Sequence, residues 1–168
     1  MYYRRFGRTD WQVSEIGYGM WGMGSWTGSD DEESLRSLQR AVDLGCNFFD
    51  TAFAYGEGRS EGLLGRLVRA NPDKKLFTAT KIPPKNKQWP ALPDNTLDDC
   101  YPPDHIEEYL SKSLDNAGLE SFDLVQLHTW NDSWTDDNRW SDKLEELKAR
   151  GLIRAFGISL PRGEPWSG

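Results

Sequence analysis

The sequence predicts an α/β fold built on a parallel sheet. Two observations lead there. Five short apolar runs alternate with four longer stretches of helical period, and those stretches carry recognisable start and stop residues. Parallel neighbours need crossovers of a dozen or more residues, and the spacing between runs supplies them.

The first residues, YYRRFGRTDWQVSEIG, form two extended pieces around a Gly/Thr/Asp turn, which predicts an N-terminal hairpin. Ile16 to Gly19 is the first sheet strand. Asp30 to Leu44 opens on acidic residues, repeats Leu35, Leu38 and Val42, and stops at Gly45, so it reads as a helix with both ends marked. Asn47 to Asp50 is the second strand, and a helix from about Ser60 to Arg69 follows it. Leu76 to Lys81 is the third strand. Residues 82–102 are rich in proline, lack apolar periodicity and predict a long loop of the kind that is usually functional or mobile. Pro103 opens a third long helix that Gly118 closes. Phe122 to His128 is the fourth strand, the Trp/Asp-rich segment 130–140 a loop, Lys143 to Arg150 lies in a fourth helix stopped by Gly151, and Ala155 to Ser159 is the fifth strand.

Composition narrows the function. The 168 residues suit one domain with a sizeable core, and 37% hydrophobic with 28% charged residues is globular. A net charge of -7 with no basic block argues against nucleic acid or an anionic membrane surface as partner. No apolar run approaches the roughly 18 residues that span a bilayer. The opening MYYRRFGRTD has no apolar core of a signal peptide, so a cytoplasmic location is expected. Cys46 and Cys100 are far apart in sequence and outside any C-x-x-C, which indicates neither a disulfide framework nor a zinc site. They are expected to be plain thiols, Cys46 buried.

The segment GYGMWG, Gly17 to Gly22, matches G-x-G-x-x-G. A dinucleotide fingerprint also needs a helix that opens directly from the glycines, so that its free N–H groups reach the pyrophosphate. Here MGSWTGS intervenes before the first helical residue. The segment therefore reads as a strand end and loop.

Polar residues fall at the C-terminal ends of the strands: Asp50, Lys81, His128 and Ser159. In a barrel or open α/β sheet that edge is where ligands bind. Tyr55 lies five residues past Asp50, in a loop punctuated by Gly56 and Gly58, within reach of the same mouth. Each residue alone has a structural reading as a cap, a solvated cation or a packing group. Together they suit one task. A phenol is a poor acid at neutral pH unless a cation stands beside it, which Lys81 can supply while Asp50 holds the ammonium. His128 would orient a substrate oxygen. Such a set protonates an oxygen on which negative charge develops, as when hydride reaches a carbonyl carbon. Side chains cannot donate hydride, so a cofactor is required.

These segments resemble the aldo-keto reductases. The resemblance rests on GYGMW, FFDTAFAYGEGRSEGLLG around Asp50 and Tyr55, TATK ending in Lys81, DLVQLH ending in His128, and LKARGLIRAFGIS ending in Ser159. It implies an eight-stranded (β/α) TIM barrel, NADPH as hydride donor and a small-molecule carbonyl substrate. It further implies Tyr55 as general acid in a tetrad with Asp50, Lys81 and His128, Gly19, Met20, Trp21 and Asp50 bordering the nicotinamide, and Ser159 near its amide. The chain departs from the family at Leu160, where Asn commonly follows the serine. It also has about five of the eight β/α units, where a barrel takes about 250 residues. The expectation is therefore a partial barrel over 1–168, with NADPH held weakly and self-association possible through the open edges of the outer strands. A non-catalytic fragment, or a regulatory or binding subunit of reductase descent, is the alternative.

Overall fold

The computed structural model describes residues 1–28 and 30–160. A two-stranded antiparallel hairpin, β1 (Tyr3–Arg5) with β2 (Gln12–Ser14), precedes a five-stranded parallel sheet: β3 (Tyr18–Gly19), β4 (Phe48–Asp50), β5 (Phe77–Ile82), β6 (Phe122–Leu127) and β7 (Ile153–Ile158). The sheet strands lie in chain order, each hydrogen-bonded to the next, and β3 and β7 form its two edges among the described residues. Helices α1 (Asp31–Asp43), α2 (Arg59–Ala70), α4 (Pro103–Ala117) and α5 (Arg139–Ala149) make the crossovers. This sequential order is an arc of a (β/α) barrel, left unclosed.

The helix ends follow local chemistry. Asp30 caps α1 by accepting a hydrogen bond from the Glu33 N–H at 3.0 Å, and three acidic residues in the first turn complement the positive end of the helix. Pro103 starts α4, where its missing N–H costs nothing, and Gly118 ends it with φ 61°, a left-handed conformation that favours glycine.

Alternation along the strands separates two faces. Phe49, Val125, Leu127 and Ile82 point outward into a core built with the helices, which includes Leu38, Leu64, Leu67, Ile106, Leu110 and Leu144. Phe77, Ala79 and Leu124 face inward and pack with Trp11 from the hairpin. Trp11 stacks on Phe77 with ring centroids 5.3 Å apart, and Phe6 stacks on Phe48 at 5.3 Å. The hairpin thus covers the N-terminal ends of the strands.

Four expectations about element bounds differ from the structure. Ile16 precedes β3 as an exposed residue whose carbonyl accepts from Ser14 and Cys46. The segment 82–102 contains a short helix, α3 (Leu97–Cys100), because Thr96 and Asp99 form a reciprocal capping box. Helix α5 begins at Arg139 and strand β7 at Ile153, earlier than their apolar residues indicate. The reason for α5 is polar: Arg139 bonds Asp137 and Asp98, fixing the first turn before any buried leucine. Cys46 and Cys100 are both free and buried.

Candidate active site

Strand register brings the polar strand ends together. Gly19 pairs with Asp50, Asp50 with Ala79, and Ala79 with Leu124. Lys81 lies two residues beyond Ala79, on the same face, and pairs with Gln126. His128 lies two beyond Gln126 and continues that inward face. Apolar residues fill this face near the hairpin, and at the opposite end it turns polar.

Lys81 is buried, and each of its three ammonium hydrogens has a partner. Its Nζ lies 2.7 Å from Asp50 Oδ2, 2.8 Å from the Thr51 carbonyl and 3.4 Å from the Tyr55 hydroxyl. The first two bonds hold the charge in place, since a buried ammonium is tolerated only when paired and hydrogen-bonded. The third is at the long limit of a hydrogen bond and leaves the phenol free to donate elsewhere. The ammonium also lies 5.1 Å from the Tyr55 ring centroid.

Tyr55 is set by its loop. Its N–H donates to the Ala52 carbonyl, its own carbonyl accepts from Ser60, and Gly56 and Gly58 turn the chain with φ 74° and 97°. Ser60 is tied in turn to Thr51 at 2.7 Å and to the Met20 carbonyl at 3.2 Å. The loop is thereby anchored to β4 and to the segment after β3.

His128 completes the cluster. Its ring meets Tyr55 edge to face at 5.7 Å and Trp89 at 5.8 Å. Its Nδ1 is buried without a hydrogen-bond partner. Burial, reinforced by the Lys81 charge, lowers its pKa from 6.5 to about 4. The imidazole is therefore neutral at physiological pH. A buried orphan nitrogen is less costly as a bare acceptor than as an unmet donor, which assigns the ring proton to Nε2.

The family resemblance also names residues beside this cluster. Gly19 is exposed, and a Cβ there would meet nothing within 4 Å. Trp21 is 60% exposed and stands 5.6 Å from Trp26, whose ring lies 6.3 Å from Tyr55. Met20 differs: its side chain is fully buried in the core, its N–H donates to the Asp50 carbonyl and its own carbonyl accepts from Ser60. Met20 supports the wall from behind and offers no surface to a ligand. Ser159 follows β7, half-buried, its N–H bonded to the Leu127 carbonyl at 2.8 Å. Trp89 lies in the segment 82–102, whose Trp/Pro-rich composition suggests an aromatic-walled pocket. Trp26 and the Thr51 carbonyl were not legible as site groups, and a backbone carbonyl leaves no mark in a sequence.

The model of the aldo/keto reductase family matches residues 15–164. The chain belongs to that family. It is 30% identical over 164 residues to the aldo-keto reductase YhdN of Bacillus subtilis, covering 95% of this chain and 47% of that protein. It is 29% identical to an NADH-specific methylglyoxal reductase of Escherichia coli, covering 91% of this chain and 50% of that one. Among solved structures, the holo form of an aldo-keto reductase from Bacillus halodurans superposes with a TM-score of 0.78 at 27% identity, over 96% of this chain and 51% of that one. The chain thus spans about half the length of the aldo-keto reductases it matches, and its five-stranded arc is part of their barrel.

Proposed function

We propose that this aldo-keto reductase reduces the carbonyl of a small aldehyde or ketone to an alcohol, with NADPH as hydride donor and Tyr55 as the proton donor. One observation carries the reading: a buried lysine bridges a carboxylate at 2.7 Å and a phenol at 3.4 Å at the open mouth of the sheet. The family resemblance would seat a nicotinamide beside Gly19, where a Cβ would meet nothing within 4 Å next to Asp50 and the exposed Trp21, with Ser159 at its amide. When bound, the cofactor supplies the hydride.

The chain's own residues handle the proton. The carbonyl oxygen sits between the Tyr55 hydroxyl and the His128 Nε2–H. The neutral imidazole donates one hydrogen bond and orients the oxygen, and it does so at any pH well above 4. Tyr55 then gives its proton to the oxygen as charge develops there. The phenolate left behind faces the Lys81 ammonium, which Asp50 and the Thr51 carbonyl hold in position. A preorganised cation of this kind stabilises the transition state without paying for reorganisation during the reaction.

The preference for NADPH rests on the family resemblance. Relatives carry names of both kinds: the protein from Schizosaccharomyces pombe is called aldo-keto reductase yakc [NADP(+)], 33% identical, whereas the Escherichia coli relative is NADH-specific. The test is cofactor oxidation measured with a panel of aldehydes and ketones, NADPH and NADH in parallel. Oxidation that depends on a carbonyl and is faster with NADPH supports the proposal. Carbonyl-dependent oxidation with NADH alone overturns its cofactor part, and none with either, at cofactor concentrations raised far enough to saturate a weak site, overturns it entirely.

A further inference from the structure

The irregular segments 83–102 and 129–138 are pinned to each other beside the site. Thr129, the residue after His128, is buried and uses both its N–H and its hydroxyl. The N–H donates to the Tyr101 hydroxyl at 2.8 Å, and the Oγ1 accepts from the Ala91 N–H at 3.0 Å. Ala91 follows Trp89 by two residues, and Trp89 covers the His128 ring. Tyr101 itself has no exposed surface and packs edge to face on Trp134 at 5.8 Å. Trp134 bonds the Asn95 carbonyl at 2.8 Å, closing the circuit.

A buried phenol is an expensive way to fill space, since its hydroxyl must find a partner. Here the partner is the backbone at the one residue that follows a strand end carrying a site histidine. Phenylalanine would fill the same volume. The hydroxyl's contribution is therefore directional, fixing where β6 stops and how the chain turns after His128.

We propose that Tyr101 is a positioning residue for His128: its hydroxyl, through Thr129, fixes the imidazole at the mouth and seats Trp89 over it. This rests on the reading of His128 as the group that orients the carbonyl, but it can be tested without substrate. The groups facing the imidazole are the Lys81 ammonium from β5, the Tyr55 ring from the 51–58 loop and the Trp89 ring from the 83–102 segment. Tyr101 meets the backbone of Thr129 and His128 and does not face the ring, so it acts through the backbone.

The chain has two histidines, which makes an NMR pH titration of the imidazoles readable residue by residue. In the unaltered protein His128 is expected to titrate at about 4, lowered by burial and the Lys81 charge. In Tyr101→Phe the ring is expected to gain solvent and titrate about one pH unit or more closer to 6.5, with His105 unmoved. His105 is the internal control, because its Nε2 bonds the Pro83 carbonyl at 2.8 Å and owes nothing to Tyr101 in that contact. An unchanged His128, or equal movement of both histidines, overturns the proposal. Hydrogen exchange of the Thr129 amide in the unaltered protein provides the second measurement and decides alone if Tyr101→Phe does not fold. Protection as strong as that of the β6 amides supports the bond to Tyr101, and exchange as fast as exposed loop amides contradicts it. Neither readout depends on Tyr55, so failure here leaves the proton-donor reading to its own rate test.

Discussion

Glu61 accepts a hydrogen bond from the Thr80 hydroxyl at 2.6 Å inside the core, one residue before Lys81. Its other oxygen accepts from Asn116 at 2.9 Å, so the carboxyl joins α2, β5 and α4. Burial raises its pKa above 4.5, and the hydrogen bonds from Asn116 and Thr80 offset this only in part. A raised carboxyl binds its proton more tightly in the native state than in the unfolded chain. Stability is therefore expected to fall as pH rises from about 4.5 through the raised value, and Glu61→Gln should abolish that component. Denaturant titrations of both proteins across this range check it; parallel pH profiles would refute the assignment.

His128 acts in the opposite sense. Its pKa, lowered from 6.5 to about 4, means that the unfolded chain takes up a proton before the native state does. The histidine's contribution to stability is full above 6.5 and declines as pH falls through 4, by up to about 3 kcal/mol at 1.36 kcal/mol per pH unit. In His128→Gln this part of the acid-dependent loss should vanish, while the loss from His105, whose pKa burial also holds below 6.5, should remain. The measurement is the difference in unfolding free energy between the two proteins at pH 7 and near pH 4.

Gly65 packs α2 against α4 so closely that a Cβ there would lie 1.7 Å from the Ala117 carbonyl oxygen. The obstacle is backbone, so it cannot rotate away. Gly65→Ala should destabilise by about 1–3 kcal/mol or more despite alanine's better helix propensity. Gly62→Ala, one turn earlier on the same helix, meets its nearest neighbour at 3.6 Å and should be neutral or stabilising. Chemical denaturation of the pair separates the two outcomes.

Much of this geometry was legible in the sequence. Glycine and acidic punctuation marked α1 and α4, and apolar runs located the parallel strands, because both signals are local. That Asp50, Lys81 and His128 meet follows from strand ends at equivalent registers with side chains alternating by two. The bounds of α5 and the short helix α3 were hidden, since they depend on polar caps at Asp137, Asp98 and Thr96 and not on apolar period. The burial of Met20 was hidden for a related reason: its neighbours Gly19 and Trp21 are open, but the turn after β3 sends the intervening side chain into the core. Tyr101 and Glu61 were invisible as partners because both act across long sequence separations.

The central claim is that Tyr55 gives the proton, and Tyr55→Phe tests it most directly by removing the hydroxyl while keeping the ring against Trp26 and His128. The measurement is the rate of NADPH-dependent carbonyl reduction by the two proteins, with cofactor affinity determined alongside. General acid catalysis is typically worth about 10² to 10⁴ in rate, so turnover should fall by that factor while affinity stays unchanged. A Tyr55→Phe protein that retained most of its turnover would contradict the account.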